Sequence, residues 1–349
     1  MKKLFYILVL LSCVSCERAF LGEDVENSPQ KNFALFWEDF DAHYGLFVAR
    51  GWNWDSIYQV YEPQVTAETT DAELWEIFRE MTAYLDDSHT FIYDPAGQQF
   101  FASGSEMDEQ VFSEFSLDLL KKSYLENFVP LELTEAEGEQ YGYAKLKGKD
   151  IGYIYLSDME ANNKDYIDDV LKILGEHKAM IIDIRNNTGG DDEVGRQLAG
   201  RFAESRELAF TVETRNGPLH TDFTDKQSQY LEPLGPEQFR KPILILTDRI
   251  TVSAAEVFLM YMHTIPDVTL VGDTTAGDFS DVSMRRFLPN GWQYQYSIMQ
   301  YLEPDGTSLD GRGHVPDVQI RNSSANIQAG TDVVVERAIG YLFETYGIE

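Results

Sequence analysis

Two apolar runs constrain this chain more than any other feature: Ala-Met-Ile-Ile-Asp-Ile at 179–184 and Pro-Ile-Leu-Ile-Leu-Thr at 242–247. Neither alternates polar with apolar residues, so each reads as a strand covered on both faces. Strands of that kind sit in parallel sheets, whose crossovers lay helices over the sheet. The surrounding sequence agrees. Helical patterns occupy 163–177, 191–203 and 253–263, and strand patterns occupy 141–146, 151–156, 208–213 and 268–271. A β-rich stretch with turns runs to about 320, and a helix over 332–346 closes the chain. Such alternation predicts a layered α/β core spanning 141–349.

The region before the core has a different periodicity. Residues 32–44 place Phe33, Phe36, Trp37, Phe40, His43 and Tyr44 at helical spacing. Residues 71–85 do the same with Leu74, Ile77, Phe78, Met81 and Leu85, with Asp71 available as N-cap. These aromatic residues are expected in a core rather than at a ligand. A polar turn at Asp86-Asp87-Ser88-His89 enters a short strand, followed by a loop at 95–108 and an amphipathic helix at 109–128. The expected organisation is a tether at 16–30, a helical subdomain at 31–94, a helix-and-loop linker at 95–140, and the core. A length of 349 residues suits about two domains.

The first fifteen residues read as an address. Lys2 and Lys3 precede an apolar run from Leu4 to Leu11, too short to span a bilayer but suited to a signal-peptide core. Ser15-Cys16 resembles the lipobox of bacterial lipoproteins, which implies acylation of Cys16 and anchorage at the cell envelope, on its periplasmic face or at the cell surface. Ser12-Cys13 is the competing site, and an ordinary secretory signal is the plainer reading. These are the only two cysteines, so a chain anchored at Cys16 keeps no thiol for a disulfide, a metal cluster or a nucleophile. The 59 acidic against 28 basic residues, a formal charge of −31, argue against binding nucleic acid. A hydrophobic fraction of 43% excludes wholesale disorder.

Three constellations can carry chemistry. In the first, the strand at 179–184 opens through Arg185-Asn186-Asn187-Thr188-Gly189-Gly190 into a helix, exposing backbone N–H groups able to bind a phosphate or an oxyanion. The turn lacks the spacing and lysine of a P-loop, and Gly-Gly also serves simply to end a strand. In the second, the strand at 242–247 leads through Asp248-Arg249-Ile250-Thr251-Val252 to Ser253 at a helix start. A serine there is usually an N-cap, yet the helix dipole also favours a nucleophile at that point. The third is Ser88-His89, since a Ser nucleophile has only six histidines from which to draw a base. A histidine entering a strand is, however, more often structural. No Cys/His ligand spacing is present, so no metal or organic cofactor is implied.

Together these motifs resemble the tail-specific (C-terminal-processing) serine peptidase family. The resemblance rests on Ile182 to Gly190, Val252-Ser253-Ala254-Ala255-Glu256, Leu270 to Gly277, and Gly311-Arg312-Gly313-His314-Val315-Pro316-Asp317. The helical region 31–94 is similar to the N-terminal part of the tricorn-core-like branch. The family implies a crotonase-like (ClpP/crotonase) α/β fold and hydrolysis of peptide bonds in peptides or unfolded proteins. Its processing branch uses a Ser–Lys dyad, whose lysine position holds Asp278 here, and no lysine follows Lys241. The tricorn-like branch supplies its base through a Ser-His pair and a later acid. Ser88-His89 matches the pair, and Asp310 stands where that branch usually has Glu. About 50 residues separate Phe91 from Tyr141, fewer than an independent domain needs, so no PDZ domain is expected.

The resemblance therefore implies Ser253 as nucleophile and His89 as general base, with Ser88 and Asp310 orienting them. Whether Ser88 bonds His89 or Asp310 stays open. The oxyanion hole would combine the Ala254 N–H with a donor from Gly189 or Gly190. His314, four residues past Asp310, is the competing base. Two other classes remain: a weak or inactive binder of peptides or apolar ligands on the same scaffold, as in retinoid-binding repeats, and a plain esterase, for which the Gly-x-Ser-x-Gly elbow is missing.

Overall fold

The structure is a computed structural model that describes residues 26–104, 109–135 and 140–349. The leader, both cysteines, including the Cys16 expected to be acylated, and most of the tether lie outside the described residues. The chain divides into two compact units. One comprises residues up to Gly104 with Arg215–Phe223 and Asp281–Ile298; the other comprises Ser105–Thr214, Thr224–Ser280 and Met299–Glu349. This division differs from the sequential one read from the sequence, because two later segments fold back into the first unit.

In the first unit, helix Pro29–His43 starts at Ser28, with Pro29 in the first turn where its missing N–H costs nothing. Helix Asp71–Ala83 is capped by Thr70 rather than Asp71. Thr70 Oγ1 accepts the Glu73 N–H at 3.3 Å and the Glu73 carboxylate accepts the Thr70 N–H at 2.8 Å. Thr-x-x-Glu spacing makes this reciprocal box, and Asp71 has no such partner in register. A further helix, Trp54–Tyr61, lies between them. The sheet of this unit runs Arg286–Phe287, Gln293–Gln295, Phe91–Asp94, Gln99–Ala102, antiparallel throughout. Its aromatic core explains the discontinuity. Phe36 stacks on Phe78 at 4.3 Å, while Trp292 meets Trp75 edge-on at 5.4 Å. The helices alone leave that core open, and the 286–295 hairpin completes it.

The second unit is built on a seven-stranded sheet in the order Val318–Gln319, Val268–Gly272, Ile243–Thr247, Ala179–Asp183, Ile151–Leu156, Tyr141–Leu146, Leu125–Pro130. The first five strands pair in parallel and the last two are added antiparallel. Side chains alternate between two cores as the pleat requires. Met180, Ile182, Ile243 and Ile245 enter one core with helices Tyr166–Leu174, Asp192–Gly200 and Ala254–Met262. Ala179, Ile181, Leu244 and Leu246 enter the other with helix Val333–Tyr346. Coverage on both faces is why these strands carry no polar alternation.

Two further expectations fail. The stretch 95–108, read as loop, carries the strand Gln99–Ala102. The amphipathic helix read over 109–128 is instead two short helices, Glu109–Phe112 and Leu117–Ser123, and the strand Leu125–Pro130. Ser116 restarts the chain as an N-cap, accepting the Leu119 N–H at 3.2 Å. The residues after Tyr124 then gain more from pairing with Tyr141–Leu146 than from one further helical turn.

Candidate active site

The two strands that open the sequence argument end side by side, and their loops are tied together. The Asp248 carboxylate accepts the Asn186 N–H at 3.0 Å and the Thr251 N–H at 3.1 Å. The Thr251 hydroxyl donates to the Ile184 carbonyl at 3.0 Å, and the Val252 N–H donates to the Asn187 carbonyl at 3.1 Å. Burial pushes the Asp248 carboxyl up to about 6, against the N–H donors of Asn186 and Ile250 and the Arg185 charge. Beneath this turn, buried Arg185 is held by Asp183 through Nε at 2.9 Å and Nη2 at 2.6 Å. Its Nη1 reaches both oxygens of Asp332, at 3.1 and 2.9 Å. Asp332 also caps the terminal helix, so the strand end and that helix share one ionic anchor.

Ser253 follows in an unusual conformation, φ 61° and ψ −127°. An ordinary N-cap is extended; this geometry is a strained turn of the kind that presents a nucleophile, and it costs about 1–3 kcal/mol. The surroundings impose it. The Ser253 N–H donates to the Asp278 carbonyl at 3.0 Å. Gly189 packs so close that a Cβ there would lie 2.6 Å from Ser253 Cβ and 3.1 Å from Oγ.

Backbone N–H groups beside this serine differ in what already occupies them. Ala254 is the first residue of its helix, so its N–H has no partner inside the helix. Of the two glycines considered from sequence, Gly189 is already occupied, because its N–H donates to Asn187 Oδ1 at 3.0 Å. Its carbonyl accepts the Met159 N–H at 2.7 Å. In a trans peptide the N–H opposes the carbonyl, so the Gly190 N–H points away from Met159. Of the Gly-Gly pair, only the Gly190 N–H is left as a candidate donor beside Ala254.

Asp310 lies in the same unit and is buried. Its Oδ1 accepts the Phe279 N–H at 3.3 Å and its Oδ2 accepts the Ser308 hydroxyl at 3.2 Å. Asp278 and Phe279 thus connect the serine to the acid. His314, the competing base, is buried with its Nε2 3.0 Å from the Glu256 carbonyl. Burial, with the nearby His263 charge, holds its pKa well below the usual imidazole range.

Glu256, part of the serine motif, stands three residues after Ser253, which is the capping-box spacing. It is fully buried. Its Oε1 accepts the Thr275 hydroxyl at 2.5 Å and the Gly277 N–H at 2.8 Å; its Oε2 accepts the N–H groups of Asp278 at 2.9 Å and Ser253 at 3.3 Å. Burial pushes this carboxyl up to about 8 against those donors.

Ser88 and His89 belong to the first unit, in a turn organised by buried Asp87. Asp87 Oδ1 accepts the His89 N–H at 3.1 Å and lies 4.0 Å from His89 Nδ1, while Oδ2 accepts the Thr90 hydroxyl at 2.7 Å. Burial works to raise the Asp87 carboxyl, but the Arg50 and His89 charges and the Thr90 and Ser297 bonds bring it below the usual range. Asp281, in the same unit, is raised by burial and eased by the His89 charge. Neither acid is marked by the sequence, since an Asp in a turn carries no distinguishing pattern. Among the described residues no cluster of His, Cys, Asp and Glu suits a metal, and no helix is long and apolar enough to cross a membrane.

Known proteins resemble this chain in sequence and fold. Residues 150–320 match the model for Peptidase family S41, and residues 25–83 match that for the tricorn protease C1 domain. Carboxy-terminal processing protease CtpA of Bacillus subtilis is 25% identical over 179 residues, covering 51% of this chain and 36% of that protein. A carboxyl-terminal-processing protease of Synechocystis is 26% identical over 208 residues, 56% of this chain and 44% of its own. The chain spans less than half the length of these curated relatives. Among solved structures, a putative peptidase from Parabacteroides merdae superposes with a TM-score of 0.78 at 28% identity, covering 91% of this chain and 97% of that one. Mature CPAF complexed with lactacystin shares the fold, with a TM-score of 0.64 at 9% identity over 91% of this chain and 99% of its own. The kinship with tail-specific, tricorn-like serine peptidases that the motifs imply is thereby shown.

Proposed function

We propose that this chain, bearing the S41 peptidase segment at 150–320, is a serine endopeptidase on a crotonase-like core. The observation that carries the proposal is Ser253, a strained serine at a helix start packed against Gly189; the Ala254 and Gly190 N–H groups are proposed as its oxyanion donors. In the proposed reaction Ser253 Oγ attacks the scissile carbonyl as His89 takes its proton. The oxyanion is held by the two backbone donors, each typically worth about 3 kcal/mol of barrier. His89 then returns the proton to the leaving amine, and water hydrolyses the acyl-enzyme by the same exchange.

The assignment of His89 rests on chemistry and sequence. The lysine position of the processing branch is Asp278, and His314 turns its Nε2 toward a helix carbonyl. Ser88 and Asp310 are proposed to orient the base and nucleophile. Substrates are peptides or unfolded proteins, and Cys16 is proposed as a lipid anchor at the cell envelope. Fluorophosphonate labelling tests the reading: wild type should label and Ser253→Ala should not. His89→Ala should abolish turnover of a peptide library in a folded protein, with His314→Ala milder. A wild type that resists labelling and binds peptides uncut would make the chain a binding protein on this scaffold.

A further inference from the structure

The buried carboxyl of Glu256 joins the described segments around Ser253. The segment 275–279 does two things: its Asp278 carbonyl receives the Ser253 N–H, and its Phe279 N–H is accepted by Asp310. That segment is loop, with Gly277 at φ 84°, so no ladder of strand or helix fixes it. The Thr275 N–H donates to the His314 carbonyl at 3.2 Å and the Ala276 N–H to the Thr251 carbonyl at 3.0 Å, while Glu256 takes the Thr275 hydroxyl and the Gly277 and Asp278 N–H groups, then closes the ring on the Ser253 N–H. The Thr275 oxygen also accepts the His314 N–H at 2.7 Å, and His314 returns to the Glu256 carbonyl. The Gly311 N–H donates to the Gly277 carbonyl at 2.8 Å, which carries the same restraint to the residue beside Asp310.

We infer that Glu256 is a positioning residue for the reaction: its buried carboxyl clamps residues 275–278 so that Ser253 keeps its strained turn and Asp310 its place beside Phe279. The physical reason is over-determination. A strained backbone persists only where its neighbours forbid relaxation, and here one side chain joins four donors from both partners of the Ser253–Asp278 bond. Helix Ala254–Met262 anchors the clamp, since Glu256 sits in its first turn and the helix is packed into the core on all sides. A glutamine keeps one carbonyl oxygen but turns an NH2 toward two of the donors. An aspartate is one methylene too short to reach both ends of the segment.

The inference rests on Ser253 being the nucleophile, and the experiment separates the two failures. Fluorophosphonate titration of wild type establishes the count of active sites; an unlabelled wild type refutes the nucleophile and this inference with it. Given labelling, kcat per titrated site in Glu256→Gln and Glu256→Asp should fall about 10- to 100-fold while KM stays within about twofold. A residue needed only for folding would lower the titrated fraction and leave kcat per site intact; that result overturns the inference. Should those variants not fold, Thr275→Val and Thr275→Ser decide it. The valine removes one clamp bond and should lower kcat per site, and the serine should restore it. Equal rates in both would refute the clamp.

Discussion

Gly189→Ala is the most direct probe of how closely the turn and the nucleophile are matched. The residue has φ 86°, where an L-alanine pays about 1–2 kcal/mol of backbone strain. Its new methyl would lie 2.6 Å from Ser253 Cβ, against an optimum of about 3.5–4.0 Å for two carbons. Relief requires a displacement of about 1 Å, and neither side yields easily. Gly189 is held by Asn187 and Met159, and Ser253 by the Asp278 carbonyl. A misplacement of that size costs on the order of 100-fold in rate. Thermal unfolding should drop by only a few degrees, as about 1–2 kcal/mol implies for a chain of this size. The assay is the second-order rate of fluorophosphonate labelling per folded molecule, measured beside the melting temperature. Labelling within about threefold of wild type in a folded variant would refute the reasoning, because Ser253 would then tolerate the shift.

Arg185→Met should destabilise the chain by about 3–5 kcal/mol in urea unfolding, because it leaves Asp183 and Asp332 buried without their shared cation; a loss under about 1 kcal/mol would contradict the anchor. Asp248 predicts a pH dependence of stability. Its folded carboxyl is raised from 3.8 to about 6, so the stabilisation from its proton is complete below about pH 3.8 and lost as pH rises through 6. The unfolding free energy of wild type minus Asp248→Asn should therefore fall by about 2 kcal/mol between pH 4 and 7; a flat difference would refute the burial argument. Asp278→Lys should leave peptide turnover unchanged or lower it, whereas Asp310→Asn should cut it by orders of magnitude. An inert wild type rescued by the lysine would mark a decayed Ser–Lys enzyme instead.

Much of the core was legible from one-dimensional pattern, and for a local reason. A strand covered on both faces must be apolar at every position, so Ala179–Asp183 and Ile243–Thr247 announce their sheet without knowledge of their neighbours. Motifs in order likewise pointed to Ser253 and to the Gly189-Gly190 turn, because helix starts and Gly-Gly turns leave their mark in adjacent residues. What depends on distant partners was not readable. Leu125–Pro130 looks helical alone and becomes a strand only because Tyr141–Leu146 offers a ladder. The hairpin of Arg286–Phe287 and Gln293–Gln295 joins the first unit because Trp292 and Tyr294 fill an aromatic core assembled some 200 residues earlier. The commitment of the Gly189 N–H to Asn187, the positive φ of Ser253 and the four donors on Glu256 arise from chain segments converging in space. Sequence alone determined which residues could carry the chemistry; tertiary structure decided which of their hydrogen-bonding groups remain available, since that depends on where every competing donor and acceptor comes to rest.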